Sequence, residues 1–268
     1  MNEKYNKYFE ANKELWNKRV EIHFNSEFYN NAKFRQTSNS LNSIELKELG
    51  DISGKTILHL QCHFGQDTLS LANLGAEATG VDFSEEAIVK AKFLSDELNI
   101  NANFICSNIY DLKEKLNRKF DIVFTSYGTI GWLPDIDKWA EIVAHFLKPN
   151  GQFLIVEFHP FIWMLDDKFE NIKYSYFHTD DPIAETSEGT YTNKDANIKM
   201  IEYGWNHPIS DVINALVKNG LEINSFREFD YSPYNCFPNM IEKDESKFVF
   251  EIFSGVLPMV YSLKAIKI

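Results

Sequence analysis

Three groups of residues in this chain stand at spacings that suit the handling of a nucleoside. The first is the loop Gln61-Cys62-His63-Phe64-Gly65, which follows the apolar run "ILHL" and precedes the helically spaced "QDTLSLANLG". Gly65 lets the backbone come close to a ligand, and the helix behind it offers free N–H groups to a negative group. The second is Asp82, 17 residues after Gly65, which closes "ATGVD". An acid at that place accepts hydrogen bonds from both hydroxyls of a ribose. The third is "CSNIYD", where the Asn108 amide carries both donors and acceptors for an adenine edge and the Ile109 N–H can reach a ring nitrogen. Each has a plainer reading. Asp82 suits the start of a helix, Asn108 suits a loop, and one glycine after a strand is common. Together they gain weight from standing at successive strand ends.

The elements that must place them alternate regularly from Thr56 onward. "KTILHL" reads as a buried strand, "DTLSLANLG" as a helix stopped by Gly75, and "AEATGVD" as the next strand. "SEEAIVKAKFLSDEL" is a helix with Ser84 as its N-cap and two glutamates at its positive end. "ANFICSN" and "FDIVFTSY" are strands, "DIDKWAEIVAHFL" is a helix, and the turn "KPNG" leads to a fifth strand, "GQFLIVEF". Such alternation predicts a parallel sheet with helices on both faces, and ligands then sit beyond the carboxyl ends of its strands.

Outside this core the pattern changes. Residues 1–50 read as a helical, aromatic cover, with 51–268 as the main domain, and 161–205 is polar, aromatic and turn-rich, an inserted cover with hairpin character. "HPISDVINALVKNG" restores a helix ended by Gly220, and "LEINSFREFD" and "MVYSLKAIKI" are the last two strands. Between them, "SPYNCFPN" predicts a fixed irregular loop.

The totals narrow the partners. The chain has 268 residues, 44% hydrophobic and 15% aromatic, which describes a packed globular protein. No apolar run approaches a membrane span, so no membrane partner is expected. The start, "MNEKYNKYFEANKELW", lacks a secretory pattern. Cys62, Cys106 and Cys236 cannot pair fully within one chain and have no metal-finger spacing, which fits a cytoplasmic protein without a cysteine-based metal site. A net charge of -12 without a basic patch argues against nucleic acid.

With these motifs assembled, the stretch from Thr56 to Phe158 resembles the core of a class I S-adenosylmethionine-dependent methyltransferase. "ILHLQCHFG" is similar to that superfamily's first motif, a strand followed by D-L-G-C-G-x-G, and "GVDFS" to its second. "CSNIYDL" resembles the adenine-binding motif, "FDIVFTSYGTI" the fourth, and "LKPNGQFLIVEF" the segment after it. "LQCHFGQDTLSLA" further resembles a bacterial branch whose substrates are mostly unassigned. The resemblance implies a Rossmann-like, seven-stranded, mostly parallel α/β sheet of order 3-2-1-4-5-7-6. It implies S-adenosyl-L-methionine as cofactor and S-adenosyl-L-homocysteine as product. Gln61, Cys62, His63, Gly65, Asp82, Phe83, Asn108, Ile109 and Ser126 are then the expected cofactor contacts. His59 replaces the motif's aspartate, and Gln61 and His63 its first two glycines. His59 and His63 each have a structural and a functional reading. A nicotinamide dinucleotide is the rival cofactor, but "QCHFGQDT" lacks the glycines that admit a pyrophosphate.

Methyl transfer from a sulfonium needs alignment first, and a general base only for a protonated nucleophile. Candidates at the ends of the fourth and fifth strands are Tyr127, Glu157 and His159; His159 is either a general base or a loop histidine capping a backbone group, and Glu157 either orients a substrate amine or is structural within the strand end. The aromatic, acidic character of the covers suits a small, partly apolar or cationic acceptor. The reading is therefore a small-molecule methyltransferase; the alternative is a protein that binds the cofactor as sensor or scaffold without transferring its methyl group.

Overall fold

A computed structural model describes residues 3–253 and 255–268. The alternation builds β1 (Thr56–Leu60), β2 (Glu77–Asp82), β3 (Asn103–Cys106), β4 (Phe120–Ser126) and β5 (Leu147–Phe158). After β5 come the hairpin β6 (Ile183–Glu188) and β7 (Lys199–Gly204), then β8 (Leu221–Phe229). A short hairpin, β9 (Met240–Asp244) and β10 (Lys247–Phe250), precedes β11 (Val260–Lys267). The main sheet has the order β3-β2-β1-β4-β5-β11-β8, with β11 antiparallel to both its neighbours. This is the implied order 3-2-1-4-5-7-6 counted over the sheet's own strands.

Helices α1 (Asn6–Phe24), α2 (Asn31–Thr37) and α3 (Ser43–Leu49) precede the sheet. Within the alternation lie α4 (Gln66–Asn73), α5 (Glu85–Leu98), the short α6 (Leu112–Lys115) and α7 (Ile136–Phe146); α8 (Ile209–Lys218) leads into β8. β1 is buried along almost its whole length because helices cover both faces, so its apolar residues form a run rather than an alternation. One apolar layer joins Leu58, Leu60, Val123 and Phe153 to Trp139 and Leu216 of α7 and α8; the other joins Ile57, Phe124 and Val156 to Ile44 and Leu71 of α3 and α4. Ser84 caps α5 as expected, its hydroxyl accepting from the Ala87 N–H at 3.1 Å.

Two details differ from the sequence reading. β5 starts at Leu147, so "KPNG" lies inside the strand, with Asn150 at φ 60° and a register break opposite Phe120 and Ile122. The β9–β10 hairpin was not expected, because "MIEKDESKFVF" has little of the apolar alternation that marks a strand. The segment 1–50 packs against the second cover and the sheet. Asn12 of α1, 1% exposed, donates to the Tyr203 carbonyl (2.7 Å) and accepts its N–H (3.0 Å), stitching α1 to β7. Asn17 holds the same helix to the start of α5: it accepts from the Ser84 hydroxyl at 2.6 Å and donates to Glu85 at 3.0 Å. The two covers meet each other over the carboxyl ends of the strands.

Gly65 is fixed by packing. It has φ 81°, and a Cβ there would stand 2.7 Å from the Phe104 ring and 2.9 Å from Ala91. Strain in the left-handed region and overpacking both penalise a side chain. Gly65→Ala should lower unfolding stability by roughly 2–4 kcal/mol in urea titrations; an unchanged midpoint would show that β3 and α5 are not packed on this loop.

Candidate active site

The loop after β1 enters the left-handed region three times, at Gln61 (φ 57°), His63 (φ 50°) and Gly65 (φ 81°). These are the three positions where the methyltransferase motif carries glycine, so the backbone path is kept although the first two residues are not. Each non-glycine residue there costs on the order of 1 kcal/mol. Hydrogen bonds over-determine the path. The Cys62 N–H donates to the Val81 carbonyl at 2.9 Å and the His63 N–H to Asp82 Oδ2 at 2.8 Å. The two side chains gained by losing glycine are both used. Gln61 Nε2 donates to the Thr129 carbonyl at 2.8 Å, and His63 Nε2 meets His23 Nδ1 of α1 at 3.1 Å.

A narrow cleft of about 120 Å³ lies beyond β2 and β3, lined by Gln61, His63, Asp82, Phe83, Asn108 and Ile109, with Phe9 and Trp16 of α1 and Trp132 closing it. Asp82 is 8% exposed and accepts the His63 and Ser84 N–H groups at 2.8 and 2.9 Å. Burial pushes its carboxyl up to about 6, against the pull of its bonds to backbone N–H groups. An ionised carboxylate has room for about four donors, so Asp82 retains capacity for a ribose hydroxyl. Gln61 Oε1 is buried without a partner among the described residues, an acceptor left for the amino group of an amino-acid tail. Asn108 uses its side-chain oxygen to cap the turn that follows, accepting from the Tyr110 N–H at 3.0 Å. These groups fit S-adenosylmethionine. The cleft is narrower than the usual ligand site of ~300 Å³ or more, so Phe9 and Trp16 must turn aside to admit it.

A second, larger cavity of about 1470 Å³ opens on the other side of the loop. Cys62, Gly65 and Ser126 line this cavity and not the cleft, so the loop divides the expected cofactor contacts between two compartments. Trp16, Tyr29, Gln61, His63, Trp132 and Tyr191 border both and form the wall between them. Trp16 packs edge-on against Trp132 at 5.4 Å and against His63 at 5.2 Å, and Tyr29 stands 5.5 Å from His63. Tyr127 also borders both spaces, and its hydroxyl donates to Glu45 at 3.1 Å.

Glu157 and His159 face elsewhere, which corrects their expected roles. The Glu157 carboxylate is buried and accepts the N–H groups of Gly128, Thr129, Ile130 and Phe158 and the Thr129 hydroxyl, at 2.7–3.2 Å where the distances are ordinary. With five donors it anchors the loop after β4 and lines neither space. His159 accepts the Phe161 N–H on Nδ1 (3.1 Å), which leaves the proton on Nε2 to donate to Glu228 of β8 (3.1 Å). Both ring nitrogens are spent outside the cavity, so His159 is not placed to take a proton from a ligand there. His59 is 2% exposed beneath the larger cavity, its Nδ1 2.9 Å from the Thr68 hydroxyl.

Arg19 and His23 were not singled out beforehand; they share one face of α1 at helical spacing with Trp16, which belongs to an aromatic cluster expected to close over the site. Arg19 pairs with Glu202 of β7 at 2.8 Å. Glu45 and Asp67 were hidden in ordinary helical stretches. Asp67 accepts the Ser40 hydroxyl at 2.5 Å, and burial raises its carboxyl; Glu45 is fully buried and pushed up to about 7.

Burial lowers the imidazole of His23 to about 2 and that of His59 to about 3, so both are neutral near pH 7. A depressed value means that the unfolded chain binds the proton first, and stability is lost as pH falls below the ordinary 6.5. Relative to His59→Asn, the parent protein should lose about 2 kcal/mol of unfolding stability between pH 6.5 and pH 5. A pH-independent difference in urea midpoints would mean that the ring is solvated.

Comparison with known proteins agrees with this geometry. A family described as a methyltransferase domain matches residues 51–204. The ubiquinone biosynthesis O-methyltransferase of Coxiella burnetii is 30% identical over 129 residues, 47% of this chain and 54% of that protein. The demethylmenaquinone methyltransferase of Lactococcus lactis is 32% identical over 131 residues, 47% and 51% of the two chains. The chain thus spans about half the length of these curated relatives. In fold it is similar to an S-adenosylmethionine-dependent methyltransferase from Clostridium acetobutylicum (TM-score 0.59, 15% identity, 94% of this chain and 99% of that one). One from Mesorhizobium loti is likewise similar (TM-score 0.58, 19% identity, 84% and 99%). With the motif path, the sheet order and the family match in agreement, this chain belongs to the methyltransferase-domain family and has the S-adenosylmethionine-dependent methyltransferase fold.

Proposed function

We propose that the protein transfers a methyl group from S-adenosyl-L-methionine to a small-molecule acceptor held in the larger cavity. The observation that carries this reading is the wall shared by the two compartments, because a methyl group can pass only where cofactor and acceptor spaces touch. In this reading Asp82 holds the ribose, and the Asn108 carboxamide and the Ile109 N–H meet the adenine. Gln61 receives the amino-acid tail. The cofactor supplies a methyl group on a sulfonium, already activated and with a neutral thioether as leaving group. What remains for the chain is alignment and exclusion of water. Rings at the wall, Trp16 and Trp132 foremost, favour a neighbouring positive charge by ~0.5–2 kcal/mol.

Tyr127 is our candidate for handling an acceptor proton, since the residue borders both spaces and its hydroxyl donates to Glu45, whose carboxyl burial pushes up to about 7. We treat 1–50 and 161–205 as covers on a methyltransferase domain at 51–268. The free thiols and the net charge of -12 support a cytoplasmic location and a non-nucleic-acid acceptor. Among the described residues no helix is long and apolar enough to cross a membrane.

Calorimetric titration with S-adenosylmethionine, S-adenosylhomocysteine and NAD tests the reading. Binding of the adenosyl pair is expected, with NAD inert. Asp82→Ala, if it keeps the parent's unfolding midpoint, should bind S-adenosylhomocysteine at least tenfold more weakly. Binding of NAD alone, or of none of the three, would sink the proposal.

A further inference from the structure

The lining of the larger cavity holds seven carboxylates against four basic side chains, and four of the seven are engaged: Glu202 by Arg19 at 2.8 Å, Asp167 and Glu185 by Lys173 at 3.1 and 3.8 Å, and Glu188 by Lys199. The deepest of the seven is Asp67, at the start of α4. It is enclosed by protein yet keeps accessible surface, which opens on this cavity. Its partners are the hydroxyls of Ser40 (2.5 Å) and Ser126 (3.4 Å), and no ion pair joins it to a Lys, Arg or His among the described residues. Glu45 lies behind the same wall, held by Tyr127 at 3.1 Å and Asn42 at 3.2 Å, and Asp67 raises its carboxyl further. Two carboxyl groups that repel each other, with hydroxyls and amides but no cation for company, leave a cation missing from their surroundings.

A second observation falls on the lining of the same cavity. His59, 2% exposed, meets the Thr68 hydroxyl through Nδ1, while its Nε2 has no partner among the described residues. An unspent buried polar atom on the cavity that also holds Asp67 marks a place built for a polar group that the chain does not itself supply. Around it stand Tyr127 and Tyr234, 5.0 Å apart, with Phe28 5.7 Å from Tyr234. Rings beside a carboxylate are suited to a cation that carries apolar surface.

We infer that the acceptor carries a protonated amine joined to an apolar or aromatic body, and that Asp67 binds the ammonium while His59 takes a neighbouring polar atom. This rests on the reading of the two compartments as cofactor and acceptor sites, and it names the class of acceptor. Tyrosol and 4-hydroxyphenylacetate share the phenol of tyramine and differ from it in the charge at the other end, neutral and negative against positive. Binding of all three is measured by calorimetry on the full chain saturated with S-adenosylhomocysteine. Tyramine should bind at least tenfold more tightly than tyrosol, and 4-hydroxyphenylacetate more weakly than either. Asp67→Asn should remove most of the preference while S-adenosylhomocysteine still binds, and if that variant does not fold, the three-compound series on the parent protein decides alone. Equal binding of tyramine and tyrosol, a preference for the anion, or a preference that survives in Asp67→Asn would each overturn the inference and leave the methyltransferase reading standing. Failure to bind S-adenosylhomocysteine would remove that reading itself.

Discussion

A buried carboxylate at the end of the fifth strand holds the site in register. Glu157 stands where water is absent, and burial alone would make its charge costly. Four N–H groups and one hydroxyl answer that cost, all but one of them from the loop 128–130. The loop after β4 therefore has one path available. Through Thr129, whose carbonyl accepts from Gln61, the same constraint reaches the loop after β1. Asp82 does the equivalent for β2 by collecting the His63 and Ser84 N–H groups. Carboxylates satisfied by backbone thus fix three strand ends, and the two compartments are the gaps left between them.

This changes what the substitutions in the first motif mean. Glycine is used there because the backbone must enter the left-handed region. Gln61 and His63 enter it anyway, so the chain accepts strain of on the order of 1 kcal/mol at each. In return it gains a tie to Thr129 and a ring in the wall between the cavities. The plain glycine motif has neither.

The sheet was legible because its signals are local. Apolar runs, the Ser84 cap and the glycine stops each act within a few residues, and the strand order followed from resemblance. The cleft was half legible: Asp82, Phe83, Asn108 and Ile109 stand at strand ends whatever surrounds them. Glu157 and His159 each had a structural and a functional reading, because position at a strand end says nothing of which way the side chain turns. One turned inward to backbone donors and the other toward β8. The pairing of His23 with His63 joins residues 40 apart in the chain, and no periodicity announces such a contact. Asp67 was missed for a similar reason, since an acid in the first turn of a helix is ordinary until its neighbours are known.

The first helix borders the cleft with Phe9 and Trp16 and the larger cavity with Trp16 and Arg19. It is fastened at one side to β7 through Asn12 and at the other to α5 through Asn17. One helix thus roofs two rooms, and the two asparagines that fasten it set the height of both ceilings at once.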